Sequence, residues 1–563
     1  MSDVRRGRPE PAPDLVFLPL GGMGEIGMNC YAYGFGTPRN HKWILIDLGV
    51  KFGDETEPGI DVVVPDLAFL EAERANLLGI VLTHAHEDHI GAVTWWWERL
   101  RVPVYCTPFA AEVLKGKLFE AGLLEEVPLE VVAPGSRLRL GPFEVEFIPV
   151  THSIPESNAI AVRTAHGTVL HSGDWKIDRT PTIPPPLAEE RLRAIGAEGV
   201  VALVCDSTNV LRPGLSPSES EVAAALDAVV AAAPGRIAVT TFASHIGRLD
   251  SAIRAARRHG REVAVVGRAM RSMIDAAKAV GLLREIGEIL PEEDAGYLPP
   301  EKTMLLCTGS QGEPRAALAR IADGSHPLVT LDPGDTVVFS SRTIPGNEKA
   351  VSAVINNFAR QNITIVTADQ APVHTSGHPR QGELDEFYRW LRPQLVVPMH
   401  GEAWHLQVHA KFAEAAGVPE TVILRDGDLL RLAPGPRTII DRVPSGRIHV
   451  DGNLLVPAVD GPARARRKLS FVGIVFVSLV LDQKGQVLSG PVIRLEGVPP
   501  VDEEGTPFED FMLEVSLTAL DSMPRARRRD DNLVRETVRT SVRRAAESLW
   551  GKRPLCQVTI HRL

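Results

Sequence analysis

One short segment of the chain concentrates side chains that can bind a metal ion. The segment Thr83–His89 holds three histidines and two carboxylates, and it follows the apolar run Gly79–Leu82, which we expect to be a strand. A neutral imidazole needs partners for both ring nitrogens, so this density is unfavourable in an ordinary core. Imidazole together with carboxylate suits zinc or manganese, although a solvated polar loop is the alternative. The predicted ligands are His84, His86, Asp88 and His89.

Three further potential ligands stand near the ends of other apolar runs. His152 follows FEVEFIPV, Asp174 lies in HSGDW, and His400 follows QLVVPM. Taken singly, each is typical of a loop or core residue. Together with the first segment they supply two groups of donors and one shared carboxylate. Two metals held in this way can activate water and clamp both the attacking and the leaving oxygen of a phosphodiester.

Apolar runs predict the elements that position these residues. From about residue 14 to 210, short apolar runs separated by glycine and proline predict the strands of a layered α/β or sandwich-like domain. After Pro217 helix and strand alternate up to Val373, beginning with the helix signal SESEVAAALDAVVAAA. This alternation is typical of a parallel sheet and predicts a separate small α/β unit.

The last hundred residues are expected to form a further α/β unit. FVGIVFVSLVLD, FMLEVSL and CQVTIHRL are strand candidates, and an arginine-rich helix is predicted near Leu533–Trp550. Two basic runs, at 464–468 and 525–529, are typical of solvated faces, while contacts with a polyanion or a dimer interface remain hypotheses. His405 and His409 have the i,i+4 spacing of a metal pair, but a partly solvated helix face is the favoured interpretation.

Composition bounds the class of protein. The 563 residues include 61 Lys+Arg and 71 Asp+Glu, a net charge of −10, and the 44% hydrophobic content excludes a disordered or collagen-like chain. No apolar run reaches the roughly 18 residues of a membrane span. Five scattered cysteines without a CxxC pair argue against a disulfide framework and predict a cytoplasmic location. The acidic balance, taken alone, disfavours a nucleic-acid partner.

A glycine motif near the N-terminus formally matches a dinucleotide-binding fingerprint. Gly22, Gly24 and Gly27 satisfy GxGxxG, and Asp47 lies twenty residues further on. The required helix is disfavoured, because the following MNCYAYGFGTPRN contains asparagines, aromatic residues, glycines and a proline. We therefore expect a tight turn that brings the backbone close to the metal loop.

Several of these motifs resemble a known family. HAHEDH with Asp47, His152 and Asp174 resembles the metal-binding motifs of the metallo-β-lactamase superfamily. Asp206 in CDST, the SGH of Ser376–His378 and His400 in MHGE resemble its β-CASP nuclease branch. Within that branch the chain is most similar to the bacterial ribonuclease J family, on the segments GGMGEIGMN, IDLGVKF, THAHEDHIGA, FASHIGR, TGSQGE, SRTIPGNE and HTSGHPRQGEL.

The resemblance implies a fold and a division into domains. The fold class is α/β: a metallo-β-lactamase αββα sandwich, an inserted β-CASP α/β domain and a small C-terminal α/β domain. The divisions are a flexible tail at 1–14, the sandwich at 15–215 and 374–450, the β-CASP domain at 216–373, a linker at 451–465 and the C-terminal domain at 466–563.

The resemblance also implies residue roles. One metal would be bound by His84, His86 and His152. The second would be bound by Asp88, His89 and His400, with Asp174 bridging the two. Asp47 would fix the ligand loop by hydrogen bonds, and His378, oriented by Asp206, would be the general acid. Substrate contacts would come from His374, Thr375, Ser376, Gly377 and His378, and from Ala243, Ser244 and His245, the last replacing an expected Asn. A structural calcium site would lie near Pro58–Asp61 and Asp451.

The implied function is a two-metal ribonuclease using zinc or manganese. It would cut RNA internally and also from the 5′ end, prefer a 5′-monophosphate, act in RNA maturation and decay, and form a homodimer or higher homo-oligomer. A DNA-processing β-CASP nuclease is an alternative, disfavoured by His400, because that branch usually has an apolar residue there. A small-molecule metallo-hydrolase is disfavoured by the long insertion at 217–373, which favours a groove for a polymer. A catalytically inactive scaffold is disfavoured because every ligand position is filled.

Overall fold

The computed structural model describes residues 12–38, 40–344, 346–459 and 461–563. Of the expected flexible tail, residues 1–11 lie outside the described residues, and the first strand begins at Asp14. The chain divides into two compact bodies. The larger runs up to Lys51 and continues from Val63 to Ile448, and the smaller comprises Phe52–Val62 and His449–Leu563. In the described part of the chain, no helix is both long and apolar enough to cross a bilayer.

Two β-sheets form the centre of the larger body. In spatial order the first sheet contains Thr438–Arg442, Asp428–Ala433, Asp14–Gly21, Cys30–Thr37, Asn40–Ile46, Leu77–Val81, Val104–Cys106 and Leu129–Val131. The second contains Arg137–Leu140, Phe143–Pro149, Asn158–Thr164, Gly167–His171, Val200–Asp206 and Val396–Met399. Phe17 and Tyr33 of the first sheet share one apolar core with Phe147 and Val204 of the second. The sheets therefore pack face to face.

Helices cover the outer faces of both sheets. Trp43 of the first sheet packs edge-on against Phe69, with ring centroids 5.4 Å apart. On the second sheet, Leu192 and Phe387 contribute to a separate core with Trp175. The helices of this layer are Ala68–Ala72, Glu87–Ile90, Val93–Leu100, Pro108–Glu120, Glu189–Glu198, Gln381–Leu391 and Ala403–Ala415, with a 3-10 turn at Arg74–Asn76. The expected αββα sandwich is confirmed.

A five-stranded parallel sheet forms the insertion. Its strands, in spatial order, are Glu262–Val266, Thr303–Cys307, Ile237–Thr240, Thr336–Phe339 and Thr364–Val366. Its α-helices are Glu219–Ala232, Ile246–Arg258, Arg268–Ala279, Ala317–Ala322 and Glu348–Arg360, with 3-10 turns at Glu292–Tyr297 and Pro300–Lys302. The first helix begins with a capping box, in which the Ser218 hydroxyl accepts from a backbone N–H and the Glu221 carboxylate accepts from the Ser218 N–H. The predicted parallel α/β unit is confirmed.

The smaller body contains a three-stranded sheet in the order Val487–Glu496, Ile474–Leu481 and Leu555–Arg562. Helices Pro462–Val472, Phe508–Asp521 and Asp531–Trp550 and a 3-10 turn at Arg527–Arg529 complete it. The predicted arginine-rich helix and final strand are confirmed. The strand predicted for FMLEVSL is wrong, because Met512, Ser516 and Leu520 are buried at helical spacing. A seven-residue apolar window is too short to reveal that period.

Short strands occur at Met23–Gly24, Lys51–Phe52, Val62–Pro65, Gly401–Glu402, Arg447–Asp451 and Leu454–Pro457. The segment 451–465, expected to be a linker, therefore contains a strand and the beginning of helix Pro462–Val472. Proline is favourable at the first position of that helix, because the N–H it lacks has no partner within the helix.

The glycine motif forms a turn beside the metal loop. Gly22, Gly24 and Gly27 have φ values of 85°, 83° and 100°, a region that other residues rarely adopt. The chain then enters strand Cys30–Thr37 rather than a helix. The Asn29 N–H donates to the Asp88 carbonyl at 2.9 Å, so the turn fixes the backbone of the ligand segment. The rejection of a dinucleotide fingerprint is confirmed.

Candidate metal centre

The predicted ligands lie in loops that follow strands of the sandwich. The segment Thr83–His89 follows Leu77–Val81, and the other three loops follow strands of the second sheet. Those loops carry His152, Asp174 and His400. His400 has a φ of 50°, and its N–H donates to the Gly22 carbonyl at 2.9 Å. This backbone bond holds the chain in a conformation that is uncommon for a non-glycine residue.

Three histidines and one aspartate form the first donor group. His86 Nδ1 lies 3.1 Å from His84 Nε2 and 3.2 Å from His152 Nε2. Asp174 Oδ2 lies 3.9 Å from His84 Nε2 and 3.7 Å from His152 Nε2. Tetrahedral zinc with bonds of about 2.0–2.1 Å places its ligand atoms about 3.3 Å apart. The spacing of this group therefore fits a bound metal ion.

The second donor group combines two carboxylates with two histidines. Asp88 Oδ2 lies 3.2 Å from His400 Nε2, and Asp174 Oδ2 lies 3.1 Å from His89 Nε2. Asp174 belongs to both groups, and within each group the donor atoms lie within 4.8 Å of one another. Its other oxygen, Oδ1, is buried without a hydrogen bond. Oδ1 lies 3.4 Å from His400 Nδ1, while Oδ2 lies 3.7 Å from His152 Nε2 and 3.1 Å from His89 Nε2, a position that suits a ligand shared by both groups.

The two groups differ in protonation. Burial, followed by repulsion from neighbouring imidazoles, holds the pKa of His84 and that of His152 well below the ordinary value. Burial likewise lowers the pKa of His86 to about 4. These three rings are therefore neutral, the form that binds metal. Burial also lowers the pKa of His400, but Asp174, Asp206 and Asp88 more than reverse this and raise it to about 10.

Asp47 contacts the segment Thr83–His89 at two of its residues. Its Oδ1 accepts the Thr83 N–H at 2.8 Å, and its Oδ2 accepts the Thr83 hydroxyl at 2.9 Å and lies 2.7 Å from His89 Nδ1. The residue is fully buried, and its φ is 61°. Asp47 thus contacts both Thr83 and the ring nitrogen of His89 that faces away from Asp174, the position of a carboxylate that orients a metal-binding histidine.

A histidine–aspartate pair borders the donor groups. His378 Nδ1 lies 2.7 Å from Asp206 Oδ2. Burial lowers the pKa of His378, but Asp206 and Asp174 more than offset this and raise it above its ordinary value. Thr208, which the sequence did not single out, donates its hydroxyl to Asp206 Oδ1 at 2.7 Å and lies 2.9 Å from His400 Nδ1. Thr208 could have been identified from the sequence by its position two residues after Asp206 in the motif CDST.

The segment His374–His378 is held against the first donor group. The Gly377 carbonyl accepts from His152 Nδ1 at 2.7 Å, and a Cβ on Gly377 would come within 2.5 Å of the same nitrogen. Ser376 Oγ accepts from Asn209, and the Thr375 hydroxyl donates to the Pro217 carbonyl. Only glycine fits at position 377, because the backbone must approach the imidazole so closely.

The predicted substrate contacts of the insertion divide into two kinds. Ala243 and Ser244 are partly exposed. His245 is buried, with Nε2 3.2 Å from a Glu219 oxygen and Nδ1 accepting the Arg248 N–H at 3.3 Å. Both ring nitrogens have partners within the chain, and the substrate contact that the resemblance implied for His245 stays a prediction.

Two other interpretations require correction. His409 is not on a solvated face, because it is fully buried between Ser207 Oγ at 2.8 Å and the Tyr388 hydroxyl at 2.5 Å.

The segment expected to hold calcium does not fit that ion. Both Asp451 oxygens accept from Arg466 Nη2, at 2.8 and 2.9 Å, and Arg466 Nη1 lies 3.5 Å from the Gly59 carbonyl. A guanidinium already supplies the positive charge there.

Family models match most of the chain. The metallo-beta-lactamase superfamily model covers residues 24–240, and the ribonuclease J beta-CASP domain model covers residues 234–358. The model of a Zn-dependent metallo-hydrolase RNA specificity domain covers residues 366–424, and the ribonuclease J C-terminal domain model covers residues 463–563. The order of the models along the chain follows a sandwich interrupted by an insertion.

Individual relatives agree with the family models. The chain is 48% identical over 547 residues to ribonuclease J of Sinorhizobium meliloti, covering 97% of each protein. It is 38% identical to ribonuclease J of Synechocystis sp., covering 86% of this chain and 76% of that protein. A crystal structure of a protein of unknown function from Enterococcus faecalis V583 shares the fold, with a TM-score of 0.51, 16% identity and coverage of 75% of this chain and 100% of that one. The chain therefore belongs to the ribonuclease J family of the metallo-β-lactamase superfamily.

Proposed function

We propose that this protein is a two-metal ribonuclease that hydrolyses RNA phosphodiester bonds, both internally and from a 5′-monophosphorylated end. The observation that carries the proposal is the convergence of two donor groups on Asp174, beside the pair formed by His378 and Asp206. The relatives named ribonuclease J, one of them matched over 97% of its length, support RNA as the substrate. Zinc or manganese suits the mixture of imidazole and carboxylate donors.

The donor groups would hold the metals as the resemblance implies. His84, His86 and His152 would bind one ion, and Asp88, His89 and His400 the other, with Asp174 between them. The two ions, when bound, supply a nucleophile from water at neutral pH and offset the charge of the phosphate. Asp47 would keep the ligand loop in place through its bonds to Thr83.

His378 would protonate the leaving ribose oxygen. Its Nδ1 is committed to Asp206, so Nε2 is the nitrogen left for the substrate. Asp206 is itself fixed by two hydrogen bonds from Thr208, one from the backbone N–H and one from the hydroxyl. This arrangement selects one tautomer and one ring orientation, as general acid catalysis requires. Ser376 and Gly377 lie next to His378 and would contact the phosphate, with Ala243 and Ser244 on the insertion as further contacts.

The test compares matched substrates on metal-reconstituted protein. We expect zinc or manganese to restore cleavage after chelation, 5′-monophosphorylated RNA to be degraded faster than 5′-triphosphorylated RNA, and DNA of the same sequence to be cut poorly. His259→Ala, a histidine on an exposed part of the insertion, serves as the control for His378→Ala. A preference for DNA, or unchanged RNA turnover in His378→Ala, would refute the assignment.

The proposal also includes the domain bounds, the cellular location and the oligomeric state. We propose the sandwich at residues 15–215 and 374–450, the β-CASP domain at 216–373 and the C-terminal domain at 466–563. A cytoplasmic location is supported by five free cysteines, four of them buried. A homodimer or higher homo-oligomer is carried over from the family, and sedimentation of the purified protein tests it.

A further inference from the structure

A basic groove in the smaller body lies outside the metal centre. Its volume is about 450 Å³. Its basic lining consists of Arg535, Arg539 and Arg543 on helix Asp531–Trp550, together with Lys468. The remaining lining comes from Ile474 and from residues 555–558 of the last strand, and none of it is acidic. We call this surface the arginine groove.

Two of the three arginines are bound to the backbone, and most of their hydrogen-bond donors have no partner among the described residues. Arg535 Nε donates to the Val558 carbonyl and Arg543 Nε donates to the Pro554 carbonyl, both at 3.2 Å. Each guanidinium has five N–H donors, so these bonds fix its position and leave most donors for a ligand. Arg543 makes no other hydrogen bond among the described residues, and Arg535 makes one more, to Asn532. Arg539 pairs with the exposed Glu536, a weak surface interaction.

The spacing of the arginines indicates a repeating anion. Positions i, i+4 and i+8 place three guanidinium-bearing residues on one helix face, with a rise of about 6 Å per step. A single small anion would need convergent donors, whereas a row of cations matches a chain of charges. Guanidinium forks also fit phosphate oxygens in pairs of hydrogen bonds.

An acidic peptide fits this groove less well than a nucleic acid. Peptides commonly bind the free edge of a sheet by adding a strand. Here strand Leu555–Arg562 is an edge strand, but its outward carbonyl at Val558 and the carbonyl of Pro554 before it are already taken by arginine. The surrounding residues 451–563 carry 17 basic and 15 acidic side chains in a chain whose net charge is −10.

We propose that the arginine groove is a second binding site for the phosphodiester backbone of single-stranded RNA, separate from the metal centre. The proposal rests on the ribonuclease function proposed above. The groove would add to the affinity for RNAs long enough to occupy both sites at once, and it would have no effect on the cleavage of RNAs that occupy the metal centre alone. It also identifies which basic residues matter: of the run 464–468 only Lys468 lines the groove, and none of the run 525–529 does.

The test measures binding of a nuclease-resistant 30-nucleotide RNA to the metal-loaded protein over a range of salt. The groove variant is R535Q/R539Q/R543Q. Its matched control, R525Q/R527Q/R544Q, removes three exposed arginines outside the groove, one of them on the same helix. We expect a Kd at least about tenfold higher for the groove variant alone. The slope of log K against log salt should fall by about 2, because each phosphate contact on a single strand contributes about 0.7.

A cleavage assay and a replacement variant separate the outcomes. Cleavage of a six-nucleotide RNA should be equal in the wild type, the groove variant and the control. If the wild type cuts no RNA, the ribonuclease proposal fails, while the binding experiment still tests the groove. If the groove variant does not fold, Arg539→Gln alone replaces it, because that guanidinium contacts no backbone atom; the expected fall in slope is then about 0.7.

Two results would overturn the proposal. One is equal RNA affinity and equal salt slope in the groove and control variants. The other is a change in oligomeric state of the groove variant alone, measured by sedimentation, with unchanged RNA affinity. That second result would assign the groove to contact between protein surfaces.

Discussion

The larger body contains two buried clusters of ionisable groups with opposite designs. In the metal centre, His86 Nδ1 lies 3.1 Å from His84 Nε2 and 3.2 Å from His152 Nε2, and Asp174 has a buried oxygen without a hydrogen bond. In the second cluster, which we call the Glu219 cluster, Glu219 accepts three hydrogen bonds from Arg248, at 2.8–3.1 Å. Lys176 is 3.5 Å from Glu219 and 3.1 Å from Asp178.

The Glu219 cluster satisfies itself, while the metal centre does not. Opposite charges in the former are paired, and Arg248 also donates to the Ser340 and Val373 carbonyls. These bonds connect the insertion to the segment that leads to His378. Neutral imidazole nitrogens crowded around a buried carboxylate are an arrangement that a bound cation would stabilise, whereas complementary partners require only each other. This difference separates a site for chemistry from one for structure.

The largest expected effect removes the residue shared by both donor groups. Asp174→Asn should lower the bound metal content and reduce RNA turnover by about 10⁴-fold or more, since metals contribute several kcal/mol to the transition state and about 1.4 kcal/mol is tenfold. Metal analysis and single-turnover kinetics would check it. Full metal content in the variant would contradict the bridging role.

Removing the proposed acid should slow the chemistry while keeping the metals. His378→Ala should lower kcat by about 100- to 10,000-fold with metal content unchanged, the usual range for general acid catalysis. Asp206→Asn should lower it less, because the ring loses its orientation and not its proton. A loss of metal in His378→Ala would instead make it a ligand.

Breaking the Glu219 cluster should lower the free energy of unfolding and leave the bound metal content unchanged. Arg248→Met leaves Glu219 buried without its main partner, so we expect about 3–5 kcal/mol loss in the free energy of unfolding. Arg254→Met, on the same helix with a half-exposed side chain, should cost less than about 1 kcal/mol. Urea unfolding and metal analysis test both variants, and equal losses would show that the Glu219 cluster is not special.

Asp426 is a half-buried acid that lies outside both clusters. Burial, followed by repulsion from Glu25, raises its pKa to about 7. The folded protein therefore binds this proton more tightly than the unfolded chain, so the associated stability is present below about pH 4 and is lost as pH rises through about 7. Relative to Asp426→Asn, the wild type should lose about 3 kcal/mol between pH 5 and 8.5. Asp441→Asn, an exposed site, should show no such difference.

The smallest effect is expected from calcium. Because Arg466 already neutralises Asp451, calcium or EGTA should shift the Tm of the wild type by less than about 1 °C, and Arg466→Met should cost less than about 1 kcal/mol. A calcium-dependent rise of several degrees in the wild type would show that a cation displaces the guanidinium.

Sequence patterns predicted a feature correctly where the residues that form it are close together both in the sequence and in space. The run Thr83–His89 predicted a metal site because its donors share one turn, and the run SESEVAAALDAVVAAA predicted the helix that the structure places at Glu219–Ala232. The same local view failed for FMLEVSL, since a short apolar run is compatible with both strand and helix. It also failed for His409, whose partners Ser207 and Tyr388 come from other elements.

The sequence by itself determined the types of donor, the positions where predicted strands end and, through its motifs, the family. Only the tertiary structure decided which donors meet. His400 reaches Asp88 across 312 residues because their strands lie in two packed sheets, and the arginine groove exists because one helix lies beside the last strand. Donor chemistry is a property of single residues, whereas the distance between strand ends depends on sheet order and long-range packing.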